Sequence, residues 1–271
     1  MEGGGKEVSE MPVAKGVEEP KAGSGRMRPQ CADALQSVVA EAWAFRWRVE
    51  LEAEIRFARL SRRLAALSAP KLLVELSQRA SEDERRHAAL CREVAHEYGY
   101  AATEEVHEQQ VPEIAPRRLS EREKVLYELV ASCCITETES MSVLTTLLHA
   151  ARTAWMKGVL QEIARDEVSH SRLGWAFLAS EHLSANVQFL GTLVPDMLEG
   201  TVTEGLFAAA AARFEDPELL QHGVLPHSTK RDIFIQTLQD VVFPGLEFHG
   251  VHSGPSRVWL ARKTTSLSPS S

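Results

Sequence analysis

The sequence predicts an all-α protein: a four-helix bundle with one long crossover between its second and third helices, plus extra helices towards the C-terminus. Three observations lead there. Apolar residues recur every three or four positions from about Ala32 to Leu183. The connections between the periodic stretches run short, long, short. The phrase Asp-Glu-x-x-His is written twice, as Asp83–His87 and Asp166–His170, once in the second helix of each pair.

The elements follow from local signals. Residues 1–29 are rich in Gly, Glu, Lys and Pro without apolar periodicity and predict a disordered tail. The first helix should run from about Ala32 to Leu67 and stop at Ser68-Ala69-Pro70. That Pro suits the first turn of a second helix, 71–98, closed by Gly99. Gly99–Leu119 is polar and carries Pro112 and Pro116, which makes it the long link. Ser120 with Glu123 forms a capping box for a third helix reaching about Ala150. A break at Ala151–Thr153 leads into a fourth helix ending near Leu183. Short links make antiparallel neighbours, and the long one is a crossover. The bundle therefore occupies 30–185, followed by a helical extension over 186–255 with segments near 190–213 and 228–248, and a flexible tail over 256–271.

Composition excludes several classes of function. The chain has 271 residues, 44% apolar and 25% charged, with a net charge of −8. Such a balance argues against a general nucleic-acid binder. No apolar run is long enough to span a bilayer, and Met1–Gln30 lacks the apolar core of a secretory signal. The four cysteines, Cys31, Cys91, Cys133 and Cys134, show no CxxC spacing and read as reduced thiols of a cytoplasmic protein.

The candidate site comes from helix geometry. Glu and His three apart project from one helix face, so Glu84 with His87 and Glu167 with His170 each present two ligands together. Leu73, Leu76, Ala80, Cys91 and Val94 continue the seam around the first pair; Met156, Leu160, Ile163 and Phe177 do so around the second. In the first helix, Glu50 shares a stripe with Trp43, Trp47, Ala53 and Phe57 and points inward. Glu52 falls beside Arg48, Arg56 and Arg59, whereas Glu54, one turn beyond Glu50, is a possible extra carboxylate. In the third helix Glu137 lies among Leu126, Val130, Cys133, Cys134 and Leu144, while Glu139 lies among polar residues. Buried carboxylates are costly unless paired, protonated or metal-bound. Glu50, Glu84, His87, Glu137, Glu167 and His170 at matched depth therefore predict a site for two metal ions, with no catalytic group beyond the ligands. Asp83 and Asp166 are expected to support the imidazoles by accepting their other N–H. Thr136, Thr138 and Met141 are expected pocket lining.

In order along the chain, these residues read E, ExxH, E, ExxH, with spacings of 34 residues (50 to 84) and 30 (137 to 167). The pattern resembles the ferritin-like superfamily of di-iron carboxylate proteins over residues 32–183, and the text around it resembles uncharacterised bacterial ferritin-like domain proteins. Departures narrow the resemblance. Cys91 stands where a radical-forming ribonucleotide reductase subunit has tyrosine, and Ile163 stands where arylamine oxygenases add a histidine. No rubrerythrin-type CxxC module is present, and storage ferritins are shorter.

The resemblance implies two metal ions, iron first, with manganese or a mixed pair compatible with the same donors. It implies oxidation with O2 or H2O2 of a small-molecule substrate, fed by an external electron donor because no flavin or nicotinamide fingerprint is visible. A homo-oligomer is compatible. The alternatives are a ferroxidase or iron-handling shell, a bundle that keeps metal for stability alone and, weakest because of the acidic balance, a tRNA hydroxylase.

Overall fold

The computed structural model describes residues 31–184, 187–202 and 205–265. The predicted disordered tail over 1–29 and the last six residues lie outside them. Helix α1 spans Asp33–Ala66 and α2 spans Lys71–Glu97. The third bundle helix is continuous but composite: α3 (Glu121–Leu129), a π-helical stretch (Val130–Glu137) and α4 (Thr138–Ala150). The fourth is α5, Ala154–Ser184.

These boundaries follow the predicted signals. The Ser120 hydroxyl accepts from the Glu123 amide while the Glu123 carboxylate accepts from the Ser120 amide, the capping box read from the sequence. Gly99 ends α2 at a φ of +92°, a left-handed turn that glycine adopts without steric cost. Between α1 and α2 the packing is close because small residues face the joint. The Ser77 and Ser81 hydroxyls donate to the carbonyls of Phe57 and Glu54, respectively.

The crossover covers a face of α1 that the sequence makes polar. Arg59 donates to the Val111 carbonyl at 2.9 Å and Arg56 to that of Pro112 at 3.2 Å. The arginines beside Glu52 thus hold the link down, and Arg56 is half-buried.

Apolar side chains fill the bundle on both sides of one polar layer. Towards one end lie Phe57, Leu60, Leu129, Leu173 and Phe177. Towards the other lie Trp43, Val94, Leu144, Met156 and Leu160. Between these two groups, on every bundle helix, falls an acidic or imidazole residue: Glu50, Glu84 with His87, Glu137, and Glu167 with His170.

The C-terminal third lies against the α1 and α3–α4 side. It contains α6 (Leu190–Thr201), a short 3₁₀ turn (Pro217–His222), α7 (His227–Thr237), a π turn (Leu238–Val242), α8 (Phe243–Phe248) and α9 (Gly254–Thr265). Two expectations change here. In the segment near 190–213, the α-helix α6 covers Leu190–Thr201 and a 3₁₀ turn begins at Ala212. A flexible tail is expected over 256–271, but residues 256–265 belong to α9. Leu260 is buried, the Trp259 indole donates to Glu199 at 2.7 Å and Lys263 pairs with the same carboxylate at 2.8 Å, which fixes α9 on α6.

Candidate metal centre

Each helix contributes its polar residue by a different local device. Along α1, Glu50 sits in the stripe Leu35–Val39–Trp43–Trp47–Phe57–Leu60, so its carboxylate is carried inward with the core. On α2 and α5 the i, i+3 spacing sets glutamate and histidine on one inner face. Glu137 is delivered by the π-helical stretch, in which an extra residue re-aims the side chains that follow it. That stretch presses on α5 at Gly174, where an added Cβ would meet Cys133 Cβ at 2.5 Å.

The six side chains converge in two interlocked sets. Ligand atoms of Glu50, Glu84, His87 and Glu167 lie within 4.8 Å of one another, and so do those of Glu84, Glu137, Glu167 and His170. Glu84 and Glu167 belong to both sets, each histidine to one. No side chain of the six is more than 8% exposed.

The histidine orientations are mirrored across the centre. His87 Nδ1 lies 3.1 Å from Glu84 and 3.6 Å from Glu167, and His170 Nδ1 lies 3.0 Å and 3.1 Å from the same two carboxylates. Both Nε2 atoms face outward to an aspartate at 3.4 Å, His87 to Asp166 and His170 to Asp83. The aspartates therefore cross over: each supports the histidine of the opposite helix pair. Arg86 bridges them, donating at 2.7 Å to Asp83 and at 2.7 Å to Asp166, and Arg165 also donates to Asp166.

Proton affinities reflect this packing. Burial pushes the Glu50 and Glu137 carboxyls well above the usual range, and the negative charges of Glu84 and Glu167 push them further. Glu84 is pushed up by burial but held below that range by His170 and His87. Burial also lowers the imidazoles' proton affinity, and contacts with carboxylates outweigh it, so His87 and His170 are both raised. Burial raises Asp83 and Asp166, yet His170 with Arg86 in one case, and Arg165 with His87 in the other, bring the net shift below normal.

This donor set fits two divalent cations. Four carboxylates are buried together with no arginine or lysine among them, and two divalent ions balance four negative charges. Glu84 Oε1 is a buried oxygen without a well-directed hydrogen bond. Both imidazoles turn Nδ1 to the centre and anchor Nε2 outside it, the arrangement that fixes a metal-binding tautomer.

Glu54 does not join the cluster. Its carboxylate points out of the bundle and pairs with Arg85 at 2.7 Å. Of the expected lining residues, Thr136 borders the adjoining cavity, whereas Thr138 is bonded to Ser171 and Met141 lies elsewhere.

That cavity, about 850 Å³, runs between α1, α3–α4 and the C-terminal third and reaches Glu50, Glu137 and Glu167. Sequence reasoning missed Arg46 and Glu139, which line it. The available signals were the placement of Arg46 one turn before Glu50, and of Glu139 two residues after Glu137. Arg86 was also missed, although it stands inside the repeated phrase.

No protein-family model matches the chain, and no curated protein matches its sequence. Among solved structures it is similar to a protein from Synechococcus with aldehyde deformylating oxidase activity, with a TM-score of 0.55 and 17% identity over 85% of this chain and 100% of the other. The likeness is one of fold: the chain is a ferritin-like helical bundle with a buried Glu/His cluster suited to metal.

Proposed function

We propose that Glu50, Glu84, His87, Glu137, Glu167 and His170 hold two metal ions, and that the protein uses them to oxidise a small organic molecule with O2 or H2O2. The observation that carries this reading is the opening of a doubly shared Glu/His cluster into a cavity large enough for an organic substrate. A centre held for stability alone has no need of such access. The oxidase activity named for the Synechococcus protein agrees with it.

In this reading Glu84 and Glu167 would be available to both ions, while Glu50 with His87 and Glu137 with His170 would complete one set each. Two ions of iron, or of iron and manganese, supply the redox chemistry when bound. The chain supplies the rest. Asp166 and Asp83 keep His87 and His170 in the tautomer that leaves Nδ1 free. Arg86 holds both aspartates ionised from the α2 side. Phe57, Tyr127 and Ala131 line the cavity, and Phe57 also packs on the His170 ring, which limits water there. Electrons come from a separate donor.

The test is anaerobic loading with ferrous iron followed by exposure to O2. Rapid O2 uptake tied to about two irons per chain, and lost in Glu84→Ala and Glu167→Ala, is the expected result. Two tightly held ions that ignore both O2 and H2O2 would instead establish a structural centre. Continued iron uptake into a mineral would establish iron handling.

A further inference from the structure

A short turn of the C-terminal third closes one end of the cavity. Pro217–His222 is a 3₁₀ turn capped by Asp216, whose carboxylate accepts from the Glu218 amide at 2.8 Å. Gly223 ends it at a φ of +72°, so close to α1 and α5 that an added Cβ would meet Trp43 at 2.6 Å and the Met156 sulfur at 2.9 Å. Gly223, Val224 and Leu225 then form cavity wall beside Trp43. Where the turn moves, that end of the wall moves with it.

His222 holds the turn in place. It is completely buried and is gripped twice. Its carbonyl accepts from the Trp43 indole N–H at 2.9 Å, and its Nδ1 lies 2.8 Å from the Tyr98 hydroxyl. Its Nε2 is buried without a hydrogen-bond partner, 3.8 Å from the Glu218 carboxylate. A carboxylate only accepts, which places the single proton of the neutral ring on Nε2 and leaves Nδ1 to accept from Tyr98. A second proton would occupy Nδ1, and Tyr98 could no longer donate there. It would also put a charge into an apolar joint, which is costly without a close partner. Glu218 is the charged group that acts on the ring, and its side chain is 39% exposed and beyond hydrogen-bond reach. Among the described residues none from α1, α2, α4 or α5 adds to it: the turn faces Trp43 on α1, Tyr98 on α2 and Met156 on α5. Burial accordingly lowers the proton affinity of His222 despite Glu218.

We propose that His222 is a proton-controlled latch on the cavity: neutral, it fastens the 217–223 turn to Tyr98 and Trp43; protonated, it releases the turn and the wall at Gly223, Val224 and Leu225. The latch needs no metal. Its sign follows from burial. A group whose proton affinity is lowered in the closed form contributes fully above its ordinary value, about 6.5 for imidazole, and loses that contribution as pH falls below it. The latch therefore opens on acidification. The metal-free cluster acts in the opposite sense, because Glu50, Glu137, His87 and His170 have raised affinities, so a general loosening of the chain does not imitate it.

The test is amide hydrogen exchange of the full chain, metal-free and iron-loaded, read at Leu219, Gly223 and Val224, whose N–H groups bond within the turn. After correction for intrinsic rates, exchange there should be about tenfold faster near pH 5 than near pH 7. The Lys124 amide, bonded to the Ser120 carbonyl at the start of α3, should not follow. In His222→Gln, whose amide oxygen accepts from Tyr98 at either pH, the difference should vanish. Tyr98→Phe removes only the hydroxyl and should speed exchange near pH 7 about fivefold, the worth of one hydrogen bond. Equal exchange at both pH values in the native chain would overturn the proposal. So would an acceleration that survives in His222→Gln or extends equally to Lys124, or a Tyr98→Phe chain that exchanges like the native one at neutral pH. If His222→Gln does not fold, the native comparison and Tyr98→Phe decide alone. Metal content measured on the same samples keeps this claim apart from the oxidation centre, since either can fail while the other holds.

Discussion

Glu84 and Glu167 differ from the other four cluster residues because both ligand sets use them. An alanine at either position should therefore abolish both metal ions, whereas Glu50→Ala or Glu137→Ala should spare one. Elemental analysis of loaded variants reads the difference directly, and equal losses from all four would show that the carboxylates are not shared in this way. Further out, Asp166→Asn leaves the shape but weakens the acceptor at His87 Nε2, and should reduce metal affinity by about 10- to 100-fold in a competition titration. Proton linkage gives a separate prediction for the metal-free chain. The folded-state affinities of Glu50, Glu137, His87 and His170 for protons are all raised. Groups of this kind stabilise fully below their unfolded values, about 4.3 for Glu and 6.5 for His, and lose that contribution as pH rises towards the folded ones. Stability from urea unfolding should thus fall between about pH 5 and pH 8 without metal, and metal should flatten the slope by displacing those protons. A metal-free chain that grows more stable over that window would contradict the electrostatics described for the cluster.

At the level of elements, the π-helical stretch Val130–Glu137 is the part that sequence periodicity did not reveal. Its residues, Val130, Cys133, Cys134 and Glu137, fit an inward stripe about as well at ordinary helical spacing, so the pattern identified the correct carboxylate without the local geometry. Gly174 is the point where α5 meets that stretch. Gly174→Ala would drive a methyl to within 2.5 Å of Cys133 Cβ and 2.9 Å of the Leu129 carbonyl, where backbone must move. Overpacking of this kind costs about 1–3 kcal/mol, visible as a lower melting temperature, and the strain should be felt first at Glu137 as a drop towards one ion per chain. Unchanged melting and full metal content would mean that α5 and the π-helical stretch separate freely. The crossed Asp–His support also escaped the sequence, because Asp83 and Asp166 each precede their own Glu and gave no sign that they serve the opposite helix.

Over the whole molecule, the bundle was legible because its signals are local: helix periods, the Ser120–Glu123 capping box, the glycine stop at Gly99 and the order of short and long links. The convergence of Glu50, Glu84, His87, Glu137, Glu167 and His170 was legible because two repeats carry the same spacing. The cavity was not, since it depends on how residues 196–202 and 223–230 lie against α1, a long-range packing with no periodic trace. The same holds for α9, which is held by buried Leu260 and by the contacts of Trp259 and Lys263 with Glu199, none of them periodic. Buried carboxylates and imidazoles in one layer across four helices acquire a common purpose only if metal occupies the space among them. The measurement that bears most directly on this is metal per chain after anaerobic ferrous loading and removal of loose ions, for the native chain beside Glu84→Ala and Glu167→Ala. About two ions in the native chain and close to none in both variants is the predicted result. Close to none in the native chain, with the fold intact, would contradict the account at its centre.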